Sequence, residues 1–287
     1  MYQRQFNQSI IMKKSLLFVA GITSLVSCSK DQQDVIINEP SKVVFSIENE
    51  LGFDVQTRAT AVTELSSFNV LTEKTVSQTQ VWYVPAYKNG SSYTTEKYWP
   101  SVDTKYAFYA SNIDLTYAAS GTTVSPTDND KDVVVAYSPY KENNYRQSVA
   151  LTFDHIYARI GEVVVNAPAS YSIRVASITT KISKGGTYDV KNSTWSSKSA
   201  LVAQTIAEGN NDIYAVPATY DVTVNYTLSK GDYVKEFTKT GSITLTQGKI
   251  NKITATPSLS EEEGATEIVF SVSLTPWGAD NHSITLN

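Results

Sequence analysis

Val222-Thr223-Val224-Asn225-Tyr226-Thr227-Leu228 alternates apolar and polar side chains over seven residues. Successive side chains of a strand point to opposite faces, so this stretch predicts a strand with one face buried and the other wet. The same alternation recurs at Val43, Phe45 and Ile47, at Val149, Leu151 and Phe153, and at Ile268, Phe270, Val272 and Leu274. Turn signals punctuate the runs at Lys88-Asn89-Gly90, Ser120-Gly121, Lys184-Gly185-Gly186, Glu208-Gly209-Asn210 and Lys230-Gly231-Asp232. No apolar stripe of helical period extends over three turns. Eighteen Tyr against two Met, among many Thr, Val and Ser, is a strand-favouring composition. Short strands at this spacing predict an all-β chain of antiparallel sandwiches rather than an α/β sheet.

At 287 residues the chain has room for one large domain or two ordinary ones. The polar, Tyr- and Asn-rich stretch Ser138–Gln147 reads as a junction between sandwiches at 59–147 and 148–287. A 41% hydrophobic and 18% charged composition supports a buried core. The net charge of −4 argues against electrostatic binding of nucleic acid. Cys28 is the sole cysteine, which excludes an internal disulfide framework or zinc cluster, and the two histidines, His155 and His282, stand far apart.

Sequence signatures of catalysis are missing: there is no phosphate-binding glycine loop, no G-x-S-x-G and no H-E-x-x-H. His155 ends an apolar alternation and reads as a structural histidine, whereas His282 near the C-terminus reads as exposed. Asp128, Asp130 and Asp132 start like a calcium loop. Val133 stands where the invariant glycine belongs and Pro139 where the closing glutamate belongs, so a solvated acidic turn is expected. Glu261-Glu262-Glu263-Gly264 reads as a solvated linker. The expectation is a protein that is not an enzyme, with no catalytic residues, no metal ligands and no cofactor.

The N-terminus reads as an address. Met12-Lys13-Lys14 supplies a positive region and Ser15–Val26 an apolar one, too short for the ~20 residues a spanning helix needs. Either Met1 or Met12 serves as the start. Leu25-Val26-Ser27-Cys28 resembles the bacterial lipobox, which predicts a signal peptide over 1–27 and lipid on Cys28. Between Val81 and Tyr145, 13 of 65 residues are aromatic, among them Trp82, Tyr83, Tyr98, Trp99, Tyr106, Phe108 and Tyr109. Aromatic faces stack on sugar rings, but rings that fill the core and rim of a small sandwich are the simpler reading.

Four sets of residues together resemble the fimbrillin family, the type V pilins of Bacteroides-type bacteria. The lipoprotein signal is followed by Thr57-Arg58-Ala59-Thr60 and Leu65-Ser66-Ser67-Phe68-Asn69-Val70. Val149-Ala150-Leu151-Thr152-Phe153-Asp154-His155-Ile156-Tyr157-Ala158-Arg159-Ile160 is similar to the family's V-x-L-x-F-x-H-x-x-A-(K/R)-(I/V) stretch. Gly186-Thr187-Tyr188 leads to Trp195 and Ile213-Tyr214-Ala215-Val216-Pro217, and Gly248-Lys249-Ile250-Asn251-Lys252-Ile253 leads to a last strand ending at Pro276-Trp277.

The resemblance implies two transthyretin-like antiparallel β-sandwich domains behind a propeptide over 28–58. It also implies a lipoprotein precursor at the outer membrane, cut by an Arg-specific protease between Arg58 and Ala59. The strand carrying Val43, Phe45 and Ile47 would then leave. A strand from another pilin subunit would replace it, building a surface fimbrium that contributes to adhesion. Stripping a strand exposes a sheet edge that strand addition repairs, and a heterologous joint of this kind repeats into a filament. Residues 265–287, with Ile268, Phe270, Val272 and Leu274 on one face, are the candidate donor, preceded by an acidic segment over Ser258–Gly264 expected to be flexible. The alternatives are that this is simply the closing strand of the second sandwich, and that the protein is a fimbrial tip or free surface lipoprotein binding a glycan or host ligand.

Overall fold

This computed structural model describes residues 41–49, 64–74, 76–99, 105–127, 130–141, 147–260 and 264–276, and its regular elements are all strands. The first are β1 (Lys42–Ile47), β2 (Ser67–Lys74), β3 (Thr79–Asn89), β4 (Ser92–Tyr98), β5 (Tyr106–Ser111), β6 (Leu115–Ala118) and β7 (Gly121–Val124). Then come β8 (Val134–Lys141), β9 (Val149–Leu151), β10 (Phe153–His155), β11 (Ala158–Val165), β12 (Ser172–Ser183), β13 (Gly186–Asp189) and β14 (Thr194–Lys198). The last are β15 (Leu201–Ile206), β16 (Gly209–Ala215), β17 (Thr219–Lys230), β18 (Tyr233–Thr244), β19 (Lys249–Ser260) and β20 (Gly264–Pro276). The all-β expectation holds, and each alternating run quoted above lies on strands. Lys230 pairs with Tyr233 across a two-residue turn in which Gly231 has φ +59°, the left-handed backbone that such hairpins demand.

The first sheet runs β10-β8-β5-β2-β3-β4-β1-β9. Thr152 alone separates β9 from β10, yet β9 pairs in parallel with β1 at one end and β10 antiparallel with β8 at the other. One short segment therefore bridges both ends, and the sheet closes around an aromatic core that includes Phe45, Phe68, Phe108 and Phe153. Sheet pairing thus extends past Gln147 to His155, so Val149–Phe153, read as the start of the second sandwich, completes the first.

Two four-stranded sheets, β16-β11-β19-β20 and β15-β12-β17-β18, face each other over a second core. Val222, Val224, Tyr226 and Leu228 point into it from β17, as their alternation requires. A third small sheet, β14-β13-β7-β6, takes two strands from each half of the chain. It covers the outer face of the first sheet, where Leu71, Ala107, Tyr109 and Val135 meet Tyr188 and Tyr214. β5 is consequently buried on both faces, all six of its residues included.

Two polar devices hold the second half in register. Arg159 Nε lies 2.5 Å from Asp212 Oδ1 between β11 and β16, both side chains more than nine-tenths buried. Breaking one partner of such a pair costs ~3–5 kcal/mol because a charge is stranded in the interior. Asn251, fully buried, donates to the Arg159 carbonyl (3.1 Å) and the Lys249 carbonyl (2.9 Å) and accepts from the Thr246 N–H (3.0 Å).

Candidate functional site

β1 is the strand that the family resemblance implies to be removable, and it is paired on both sides. Phe45 is opposite Tyr93 of antiparallel β4 and opposite Val149 of parallel β9. Val43 and Phe45 are fully buried and Ile47 is partly buried. The Phe45 ring meets Phe68 and Phe108 edge to face, with centroids 6.0 and 5.7 Å apart. Each such side chain contributes ~1.5–3 kcal/mol by leaving water, and edge-to-face rings add to that. Vacating β1 would leave an apolar slot between two unpaired strand edges.

The segment is fastened at both ends. The Trp99 N–H donates to the Ser41 carbonyl (3.0 Å), and the Glu48 N–H to the Leu151 carbonyl (3.0 Å). Beyond them the Asn49 amide makes two bonds to one residue: Nδ2 donates to the Phe153 carbonyl (2.6 Å) and Oδ1 accepts from the Phe153 N–H (2.9 Å). Asn49 thereby imitates one more step of strand pairing with a side chain. Sequence reasoning missed it, and its only signal was an amide two residues past the last apolar position of the strand.

β20 is an edge strand, paired antiparallel to β19 from Gly264 opposite Ser260 to Pro276 opposite Lys249. Ser258–Ser260 therefore belong to a strand, which corrects the reading of Ser258–Gly264 as a flexible segment; residues 261–263 lie outside the described ones. Ile268 is buried, Phe270 and Val272 are partly buried against the second core, and Leu274 is 49% exposed. The four-residue apolar face thus packs over three residues, with Leu274 half exposed among the described residues. Gly241 on β18 admits the Phe270 ring, since a Cβ there would come within 2.5 Å of it.

Near the end of β1, a cavity of about 330 Å³ opens between Asn49, Asp154, Lys249 and Pro276. Burial pushes the Asp154 carboxyl above its usual range, and neighbouring His155 pulls it partly back. His155 Nδ1 lies 2.6 Å from Asp132 Oδ2, with the His side chain 8% and the Asp side chain 0% exposed. Asp132 is therefore an interior partner of His155, not part of a solvated acidic turn. His155 is buried at the end of its apolar alternation. In addition, Asn112 donates to the Asp132 carbonyl (2.9 Å) and accepts from the Val134 N–H (3.0 Å), tying down the approach to β8.

Of the aromatic cluster, Trp99, Tyr106, Phe108 and Tyr109 are buried, Trp82 and Tyr83 are partly buried, and Tyr98 is exposed. Most of the cluster is core. Cys28, Arg58 and Ala59 lie outside the described residues, as do Asp128, Trp277 and His282.

Solved structures share this fold. A candidate cell adhesion protein from Bacteroides eggerthii DSM 20697 is similar at 11% identity and TM-score 0.51, over 83% of this chain and 97% of that one. A candidate cell adhesion protein from Parabacteroides distasonis ATCC 8503 is similar at 10% identity and TM-score 0.51, over 82% and 98% of the two chains. No curated protein sequence matches. The family model described as fimbrillin-like matches residues 57–277, most of the chain, so this protein belongs to the fimbrillin-like family.

Proposed function

We propose that this chain is a structural pilin subunit of a cell-surface fimbrium, not an enzyme, and that it contributes to adhesion. It is made as an outer-membrane lipoprotein precursor, and its subunits join by strand exchange after an Arg-specific protease cuts at Arg58. The observation that carries the reading is β1, a six-residue strand paired on both sides with its apolar face in the core. It lies on the N-terminal side of Arg58, so a single cut would free it from the rest of the fold. The donor is β20, whose apolar face is only partly used where it sits. Its partners are other pilin subunits, of the same or a related kind. The chain divides into two sandwich domains, transthyretin-like as the family resemblance implies, with β9 and β10 counted in the first.

One observation favours a second reading. β20 is paired with β19 along its whole length, which suits a tip subunit that accepts a strand without giving one, or a free surface lipoprotein binding a glycan or host ligand. Electron microscopy of intact cells, with gold-labelled antibody to this chain, separates the two. Label along the length of surface fibres is the expected result; label confined to fibre ends or to the membrane would replace the first reading by the second.

Lipid on Cys28 belongs to the same proposal. Cells fed a palmitate analogue should label the wild-type chain and leave Cys28→Ala unlabelled, and equal labelling would remove the lipoprotein step.

A further inference from the structure

β1 and β20 carry nearly the same five residues: Val43-Val44-Phe45-Ser46-Ile47 in one, Ile268-Val269-Phe270-Ser271-Val272 in the other. Three positions are identical, and the remaining two exchange Val and Ile in opposite senses, so the total side-chain volume is the same. Volume-conserving apolar swaps are the ones a packed core tolerates best. The slot that holds Phe45 between Phe68 and Phe108 accordingly fits Phe270, with Ile268 and Val272 in the places of Val43 and Ile47.

The likeness fails at one place. Continued two residues further, it sets Leu274 against Asn49. Glu48 contributes only its main-chain N–H, to the Leu151 carbonyl, and Ser273 can supply the same bond. Asn49 contributes a side-chain amide to both main-chain groups of Phe153, a residue only 1% exposed. Leucine has no polar atom to offer them, so these half-buried main-chain groups lose two hydrogen bonds to protein.

We infer that β20 of a second copy takes the place of β1 in the register Ile268 for Val43, Phe270 for Phe45 and Val272 for Ile47, and that Asn49 is a lock favouring the resident strand over the incoming one. The inference rests on the strand-exchange reading above and adds to it the register and the residue that biases the exchange. The incoming strand fills the apolar slot as well as β1 does but leaves the Phe153 groups unmet. Exchange in this direction therefore needs the resident strand to be cut loose first.

The test uses the full chain carrying Cys28→Ala, cut after Arg58, with a fluorophore on the N-terminal fragment. A synthetic peptide of residues 264–276 is titrated in, and fragment release is followed. The same peptide carrying Leu274→Asn restores the amide and should displace the fragment at a concentration roughly tenfold lower or better. Asn49→Leu in the chain should speed release by the unaltered peptide. Register is read by disulfide formation: Ser46 pairs with Ala150, so a Ser271→Cys peptide should link to an Ala150→Cys chain and a Ser273→Cys peptide should not. If no peptide displaces the fragment, strand exchange by β20 falls and this inference with it. Displacement by the unaltered peptide with no gain from Leu274→Asn, or linkage through Ser273→Cys instead, overturns the inference and leaves strand exchange standing.

Discussion

Deleting residues 265–287 is expected to abolish polymer formation while the subunit still folds. β20 occupies an edge, and among the described residues Ile268 is its one contribution to the fully buried set of the second core. The other members of that set sit on strands and connections that remain. Losing the burial of Ile268 costs ~1.5–3 kcal/mol, with smaller losses at Phe270 and Val272. In a domain of this size those side-chain losses alone lower the Tm by roughly 5–10 °C, unpairing β19 lowers it further, and one cooperative transition is retained. Polymer formation, by contrast, should fall below detection. The pairing of β20 with β19 gives the rival account its footing: a strand needed for folding would take the cooperative transition with it. Phe270→Asp should act more gently in the same direction, since an unpaired carboxylate is strongly disfavoured in an apolar slot. Calorimetry on the isolated subunit and light scattering after cleavage measure the two effects separately.

The Arg58→Ala variant should accumulate as a longer, lipid-bound form and give no fibres. While β1 remains joined to its own domain, it competes for the slot at the millimolar effective concentration of a short tether. A strand arriving from another subunit at micromolar concentration is outcompeted by about a thousandfold before any difference in fit is counted. Cleavage removes that advantage. The mass of the membrane-bound chain, and electron microscopy of the cell surface, measure the outcome. Normal fibres from this variant would mean that strand release does not occur at Arg58.

Net charge takes little part in this. Residues 1–58 hold six basic and six acidic side chains, so the proposed cut would leave the net charge at −4. On the proposed reading, fit in the slot would have to drive assembly.

Elements whose two faces meet different solvents were legible in the sequence. β17 alternates because one face meets the second core, and the alternation alone located Val222 to Leu228. β5 shows the limit: Tyr106, Phe108 and Ala110 enter one core, Ala107 and Tyr109 another, so the whole strand is apolar or buried and carries no period to read. Closure of the first sheet through Thr152 was hidden for a different reason. Parallel pairing of β9 with β1 joins segments about a hundred residues apart, and no local pattern encodes so distant a partner. Asp132 was misread on the same ground, because the His155 that draws it inside is 23 residues further along the chain. At the candidate site the apolar positions of β1 were legible, and the Asn49 amide bridge to Phe153 was not, since it depends on which main-chain groups Phe153 presents.

The central claim is that the working form of this protein has lost the strand it folded with. N-terminal sequencing of material sheared from the cell surface tests this most directly. The account predicts a chain beginning at Ala59. A blocked N-terminus at a lipidated Cys28, with β1 still attached, would contradict it.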